Sequence, residues 1–316
     1  MRAVIVGAGV SGLSTAAELL RTGHEVTLVS ADPIAATTSY LAAAVWFPTA
    51  AGPPERVNAW GTQTFTHLAR LAESGTPGVR MRESLTLYRN QPGPVEWGRA
   101  VRDLRPARDS ELPPGYTAGL RFAVPLVEMP VFLPWLHDRV VAAGANRVHR
   151  EVGDLGEITD LAPDVVINCA GLRAGDLVGD TTVHPIRGQI VRVTNPGLSM
   201  SVRDEAHPLG RAYAHPRATD CILGGTLEPG QWDTTPNPEL TQSILHRCRD
   251  IAPQLADCAV IETLVGLRPG RPNVRLEPDH ACLPGTPVIH NYGHGGAGIT
   301  IGYGCAREVA ELVAAL

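Results

Sequence analysis

Two stretches of this chain carry residue types and spacings that could do chemistry. The first is Gly7-Ala-Gly9-Val-Ser-Gly12, a G-x-G-x-x-G turn. Its spacing suits a pyrophosphate. Gly7 permits the tight turn, Gly9 lets the phosphates approach the backbone, and Gly12 lets helix and strand pack closely; the helix N-terminus adds free N–H groups and a positive dipole end. The second is Gly266-Leu-Arg268-Pro-Gly-Arg271-Pro-Asn-Val-Arg275, three arginines around two prolines. Proline fixes φ and presents the guanidiniums stiffly on a rigid loop. That suits recognition of a carboxylate, although solvated arginines on such a loop would give the same pattern. No acid–base pair or nucleophile triad stands out beside them.

The elements that must position these groups can be read around them. Arg2–Val6 is a short apolar strand, Leu13, Ala16, Ala17 and Leu20 fall on one helix face that Gly23 ends, and Glu25–Ser30 is a second strand. The G-x-G-x-x-G turn therefore sits between strand and helix, the context that makes it a dinucleotide site. An NAD site usually ends its second strand on an acid. Here Ser30 holds that place, the next acid is Asp32, and no arginine stands nearby for NADP, so FAD stays open. A second strand–turn–helix lies at the other end of the chain: Val288–Tyr292, then Gly293-His-Gly-Gly-Ala-Gly298, then Ile301, Cys305, Val309 and Leu312 at helical spacing. A helix N-terminus aimed at a cofactor stabilises negative charge, such as that of a reduced flavin. His294 in that turn reads as structural rather than as a base. Thr37, Thr38 and Ser39 open an apolar segment that ends at Trp46-Phe47-Pro48; they suit phosphate or ribose oxygens, or a helix cap.

The rest of the chain supplies scaffold. Asn58–Leu71 and Pro130–Gly144 have helical periodicity, Asn146–Val152 reads as a strand, and Asp164–Ala170 reads as a buried parallel strand running into Gly171. A nucleotide-binding sheet begun at the N-terminus is thus resumed after an excursion. Residues 76–125 look irregular, broken by Pro77, Pro92, Pro94, Pro106, Pro113 and Pro114. His184–Val193 and Ala212–Gly225 suggest an antiparallel sheet, with Asp204, Glu205 and Asp220 as solvated acids, and Leu240–Ile251 suggests a surface helix. The expected fold class is α/β, α+β overall: a Rossmann-like FAD-binding domain of residues 1–75, 126–180 and 262–316, and a mostly antiparallel substrate domain of residues 76–125 and 181–261.

Composition bounds the function. The chain has 316 residues, 44% of them hydrophobic, enough for two lobes with a sizeable core. A net charge of −5 with no basic run argues against nucleic acid. Six cysteines without C-x-x-C or metal-ligand spacing read as reduced thiols, and no metal is expected. The first strand leaves no room for a signal peptide, and no run approaches the ~18 apolar residues of a membrane span. The expectation is a cytoplasmic protein with no membrane partner.

These segments together resemble the D-amino-acid oxidase family, which includes D-aspartate oxidase. The matching residues are Gly7–Gly12, Thr37-Thr-Ser-Tyr-Leu-Ala-Ala-Ala-Val-Trp46, Val166-Ile-Asn-Cys-Ala-Gly171, Arg187-Gly-Gln189, Leu223-Gly-Gly225, Gly266-Leu-Arg-Pro-Gly-Arg-Pro272 and His290-Asn-Tyr-Gly-His-Gly-Gly-Ala-Gly298. The resemblance implies a non-covalent FAD, held by Gly7, Gly9, Gly12, Asp32, Thr37, Thr38, Ala43, Ala44, Val45, Gly171, Gly295, Gly296, Gly298, Ile299 and Thr300. It implies that Arg268 and Tyr213 bind the substrate α-carboxylate and that the Gly296 carbonyl accepts from the amine. Val45, Phe47 and His215 are implied for the side-chain pocket. The implied reaction takes a D-amino acid and oxygen to a 2-oxo acid, ammonia and hydrogen peroxide by hydride transfer to flavin N5, with no protein acid or base. A homodimer is compatible with it. The lid tyrosine of many eukaryotic members is replaced by Leu209, and Pro33 follows Asp32 where arginine is common. In the D-aspartate branch an arginine follows Leu-Gly-Gly-Thr; here Leu227 does, so neutral, apolar side chains are expected, with Arg203 and Arg211, in the loop before Tyr213, able to upset this. D-aspartate oxidase, a glycine- or sarcosine-type amine oxidase and a non-enzymatic nucleotide-binding protein are the alternatives.

Overall fold

A computed structural model describes residues 1–47, 51–93 and 95–316. Pro48 and Pro94, read above as punctuation, lie outside the described residues. The first sheet has six strands in the order Arg275–Asp279, Val288–Tyr292, Val165–Asn168, Arg2–Val6, Glu25–Ser30, Asn146–His149. All neighbours are parallel except Arg275–Asp279, which runs antiparallel on Val288–Tyr292. Alternate residues of Arg2–Val6 enter different cores, as strand pleating dictates. Ala3 and Ile5 pack with Leu13, Leu19, Ile167, Ile289 and Ile301. Val4 and Val6 pack on the other face with Val29, Leu155, Ile158 and Val288. Burial on both faces is why these strands read as continuous apolar runs.

The second sheet has nine strands. Eight lie in the order Glu228–Pro229, His184–Thr194, Asp220–Gly224, Ala212–Pro216, Ser201–Asp204, Val79–Tyr88, Ala118–Val127, Arg102–Pro106, and Val260–Gly270 also pairs with His184–Thr194. The helix Pro238–Ile251 buries Ile244, Leu245, Cys248 and Ile251 against Val191, Val193 and Leu223 of this sheet.

Three expectations are corrected here. Residues 76–125 are not irregular, because Val79–Tyr88 and Ala118–Val127 pair without interruption over ten residues each. Pro77, Pro92, Pro113 and Pro114 fall in the connections and Pro106 at a strand end, so they punctuate the strands rather than break them. The boundary expected at residue 262 falls inside Val260–Gly270, which follows His184–Thr194 down to the Gly270–His184 pair. Arg268 therefore projects from a strand rather than a rigid loop, and the chain changes sheets after Gly270. Lastly, Asp204 and Asp220 are buried rather than solvated. Arg217 grips Asp220 with two hydrogen bonds of 2.6 Å, and Arg89 and the Tyr116 hydroxyl hold Asp204. A buried carboxylate persists only when paired in this way.

Candidate active site

A cavity of about 590 Å³ runs between the two sheets. Gly7, Gly9, Asp32, Thr37, Thr38, Ala43, Ala44, Val45, Gly171, Gly295, Gly296, Gly298 and Ile299 line it, as do Phe47, Tyr213, His215 and Arg268. Gly12 and Thr300 do not. A Cβ at Gly12 would run into the Gly7 carbonyl, so its work is packing. Thr300 clasps the backbone of Phe47, accepting from its N–H at 3.2 Å and donating to its carbonyl at 3.0 Å.

In the first glycine turn Gly7 has φ +108°, and a Cβ there would strike the Cys169 carbonyl. Beside Gly9 the nearest side-chain atom is the Ser39 hydroxyl, which also accepts from the Val10 N–H at 3.0 Å at the start of the helix Val10–Arg21. The three hydroxyl residues divide their work. Thr37 caps a short helix by accepting from the Tyr40 N–H, Thr38 donates to the Leu267 carbonyl at 2.9 Å, and Ser39 faces the glycine turn.

Midway, Ala44 adopts a left-handed φ of +50°, a conformation that a non-glycine residue keeps only where its surroundings enforce it. The Val127 N–H donates to the Ala44 carbonyl at 2.8 Å and the Trp46 N–H to that of Pro125 at 2.9 Å, pinning this segment to the strand Ala118–Val127. Opposite, the Gly295 N–H donates to the Pro269 carbonyl at 2.8 Å, which couples the second glycine turn to the strand bearing Arg268. His294 is buried with Nε2 3.0 Å from the Asn291 side-chain oxygen, and burial lowers its pKa to about 4. A ring held neutral and inward in this way is structural.

On the second sheet, Arg268 donates to the Thr226 carbonyl at 3.1 Å. A side chain at Gly188 would overlap its guanidinium, and one at Gly224 or Gly225 would overlap the Tyr213 ring. The Arg-Gly-Gln and Leu-Gly-Gly motifs thus vacate space for Arg268 and Tyr213. Burial pushes the Tyr213 phenol up while the Arg268 charge opposes it, so the hydroxyl stays protonated and able to donate. Tyr213 stacks on His215 with ring centroids 4.6 Å apart. Sequence reasoning missed Gly188, Ile190 and Leu264 in this wall; a glycine inside the strand-like His184–Val193 was the available signal. Arg203 and Arg211 also line the cavity, but Arg203 lies on the strand Ser201–Asp204 rather than in a loop.

Away from the cavity, folding brings Asp279, Cys282 and His290 within 4.8 Å of one another, a grouping their spacing did not reveal. One Asp279 oxygen is already shared by Arg275 at 3.1 Å and His290 at 3.3 Å.

Residues 2–312 match the profile of the FAD dependent oxidoreductase family. The chain belongs to this family. As an FAD-dependent oxidoreductase it uses FAD, and the side-chain-free backbone of Gly9, which lines the cavity beside the N-terminus of Val10–Arg21, fits the cofactor's pyrophosphate. It is 49% identical to a D-amino-acid oxidase of Rubrobacter xylanophilus, over 99% of this chain and 96% of that one. It is 41% identical to a D-amino-acid oxidase of Streptomyces coelicolor, over 98% and 95%. Glycine oxidase from Geobacillus kaustophilus shares the fold of this oxidoreductase, with a TM-score of 0.80 at 19% identity over 99% and 95% of the two chains. Among the described residues no helix is long and apolar enough to cross a membrane.

Proposed function

We propose that this oxidoreductase converts D-amino acids to imino acids, which water hydrolyses to 2-oxo acids and ammonia while oxygen is reduced to hydrogen peroxide. The observation that carries the reading is the convergence of Arg268 and Tyr213, from separate strands, on the cavity that also holds the glycine turn. A guanidinium fork and a phenol together match an α-carboxylate. FAD, once bound, supplies the ring that accepts hydride from the substrate α-carbon. This chain's own groups bind and orient. Arg268 and Tyr213 fix the carboxylate, the Gly296 carbonyl takes a hydrogen bond from the amine, and Val45, Phe47 and His215 flank the side chain. Orientation of this kind lowers the barrier without an acid or base from the protein. Gly7, Gly9 and Gly12 form the pyrophosphate turn, Asp32 faces the ribose, and Ala43–Val45 wall the ring. In this reading residues 1–75, 126–180 and 271–316 form the cofactor lobe and the remainder the substrate lobe. The six free thiols suit a reducing cytosol.

Peroxide release from a panel of D-amino acids, L-amino acids, glycine and sarcosine tests the proposal. Turnover should be confined to D-amino acids. Preferred oxidation of glycine, sarcosine or L-amino acids would overturn it.

A further inference from the structure

We propose that Asp180 is a positioning residue: by holding Arg271 and Tyr292 it sets the Gly296 carbonyl and the cofactor against the carboxylate-binding pair Arg268 and Tyr213. This rests on the D-amino-acid reading above and deepens it.

The three arginines of the proline-rich motif divide their work. Arg268 faces the cavity, whereas Arg271 and Arg275 do not line it. Both turn to one network instead. One Asp180 oxygen accepts from Arg271 Nε at 2.9 Å and from the Tyr292 hydroxyl at 2.9 Å. The other accepts from the Thr182 N–H at 3.0 Å and from the Thr182 hydroxyl at 2.5 Å. Arg275 donates to the same Tyr292 hydroxyl at 2.9 Å. The Asp180 side chain is 9% exposed and Tyr292 is fully buried. Burial opposes the charge on Asp180, yet the bonds from Thr182, Arg271 and Tyr292 hold its carboxyl well below the usual range, so it stays ionised at neutral pH.

The place of these residues in the chain gives the network its leverage. Asp180 lies between Val165–Asn168 of the first sheet and His184–Thr194 of the second. Arg271 lies between Val260–Gly270 of the second sheet and Arg275–Asp279 of the first. Their ion pair therefore ties a crossing that leaves the first sheet to one that returns. Tyr292 ends the strand that feeds the second glycine turn. Arg271 also backs that turn: Gly293 has φ +80°, and a Cβ there would lie 2.8 Å from the Cβ of Arg271. From the other side the Gly295 N–H is bonded to the carbonyl of Pro269, the neighbour of Arg268. The turn that carries Gly296 is thus held between Arg271 and the strand of Arg268.

Geometry then decides what the clamp controls. Arg268 and Tyr213 both stand on the second sheet, so their mutual spacing does not depend on it. The two glycine turns, one with Gly7 and Gly9 and the other with Gly296, follow strands of the first sheet. Loosening the clamp shifts one set against the other. A bare carboxylate meets only Arg268 and Tyr213 and does not sense the shift. A substrate that must also place its amine on Gly296 and its α-hydrogen on the flavin does, and a misplacement of about 1 Å costs about a hundredfold in rate.

The test uses the FAD-loaded wild type with Asp180→Asn, Asp180→Ala, Arg271→Met and the double variant Asp180→Ala/Arg271→Met. Three quantities are measured: the rate of flavin reduction by a saturating D-amino acid without oxygen, the Kd of butyrate from the change in flavin absorbance, and flavin per chain. Asp180→Ala should slow reduction about tenfold or more, change the butyrate Kd less than about threefold and keep its flavin. Asp180→Asn, which retains an acceptor oxygen, should fall between it and the wild type. The double variant should be no slower than Asp180→Ala, because the two groups act as one unit. An unchanged reduction rate in Asp180→Ala, or losses that multiply in the double variant, overturn the inference and leave the D-amino-acid reading intact. Joint loss of flavin, butyrate affinity and reduction in Asp180→Asn as in Asp180→Ala assigns the network a structural role and also overturns it. Absence of flavin reduction in the wild type with every D-amino acid overturns the parent reading instead.

Discussion

The Arg268 guanidinium lies directly over Gly188, on the strand that pairs with its own, in space that any side chain at residue 188 would fill. The proposed carboxylate site therefore depends on an absent side chain as much as on a present one. Gly188→Ala should displace Arg268, raise KM for D-amino acids more than tenfold and leave flavin content unchanged. Steady-state kinetics with flavin absorbance per chain checks this; unchanged KM would sink the idea.

Direct replacement of the two groups proposed to bind the carboxylate should have unequal effects. Arg268→Lys leaves a point charge where a planar fork is needed, so kcat/KM should fall far more than flavin content. Tyr213→Phe removes one hydrogen bond to a charged group, roughly 1.5–3 kcal/mol, or about ten- to a hundredfold in kcat/KM. Near-native kcat/KM in Arg268→Lys would refute the assignment.

Thr226 joins two motifs. Its hydroxyl accepts from the Gln189 N–H at 2.7 Å while its carbonyl accepts from Arg268. Thr226→Val strands a buried N–H, a loss of roughly 1–3 kcal/mol, so Tm should fall and KM should rise together. A Tm drop without any change in KM would mean that the hydroxyl does not position Arg268.

Stability should decline on the acid side of neutrality. Burial lowers the pKa of His67 and of His294 to about 4, and that of His215 well below its usual value. The unfolded chain then binds more protons than the folded one as pH falls from about 6.5 towards 4, so stability is present above that window and lost through it. Tm measured at pH 7.5, 6 and 5 should fall stepwise, and His67→Phe should flatten the slope. A constant Tm across this range contradicts the argument.

The flavin should leave the chain intact when the protein is denatured, because no cysteine or histidine stands at a linkage motif. Acid precipitation with absorbance of pellet and supernatant reads this out. A yellow pellet would contradict non-covalent binding.

By itself the sequence determined the two strand–glycine turn–helix units at either end of the chain. Their signals are local: a positive φ at Gly7, a helical apolar face, an apolar run. Most of the residues expected to hold the cofactor line the cavity, and the motifs shared with the D-amino-acid oxidase family pointed to Arg268 and Tyr213 in its wall. Only the tertiary structure decided the rest. Val79–Tyr88 and Ala118–Val127 gain their identity from each other, and proline-rich connections between them hid that pairing. Gly188 and Gly224 read as strand residues, and their role emerged only once Arg268 and Tyr213 were seen to occupy the room they leave. Arg203 and Arg211 were indistinguishable in sequence, eight residues apart. Folding set Glu205 against Arg211 and buried Arg203 against the Phe47 ring, without an ion pair among the described residues. Whether a charge is matched depends on what the rest of the chain brings within a few ångströms of it, and spacing along the sequence does not contain that distance.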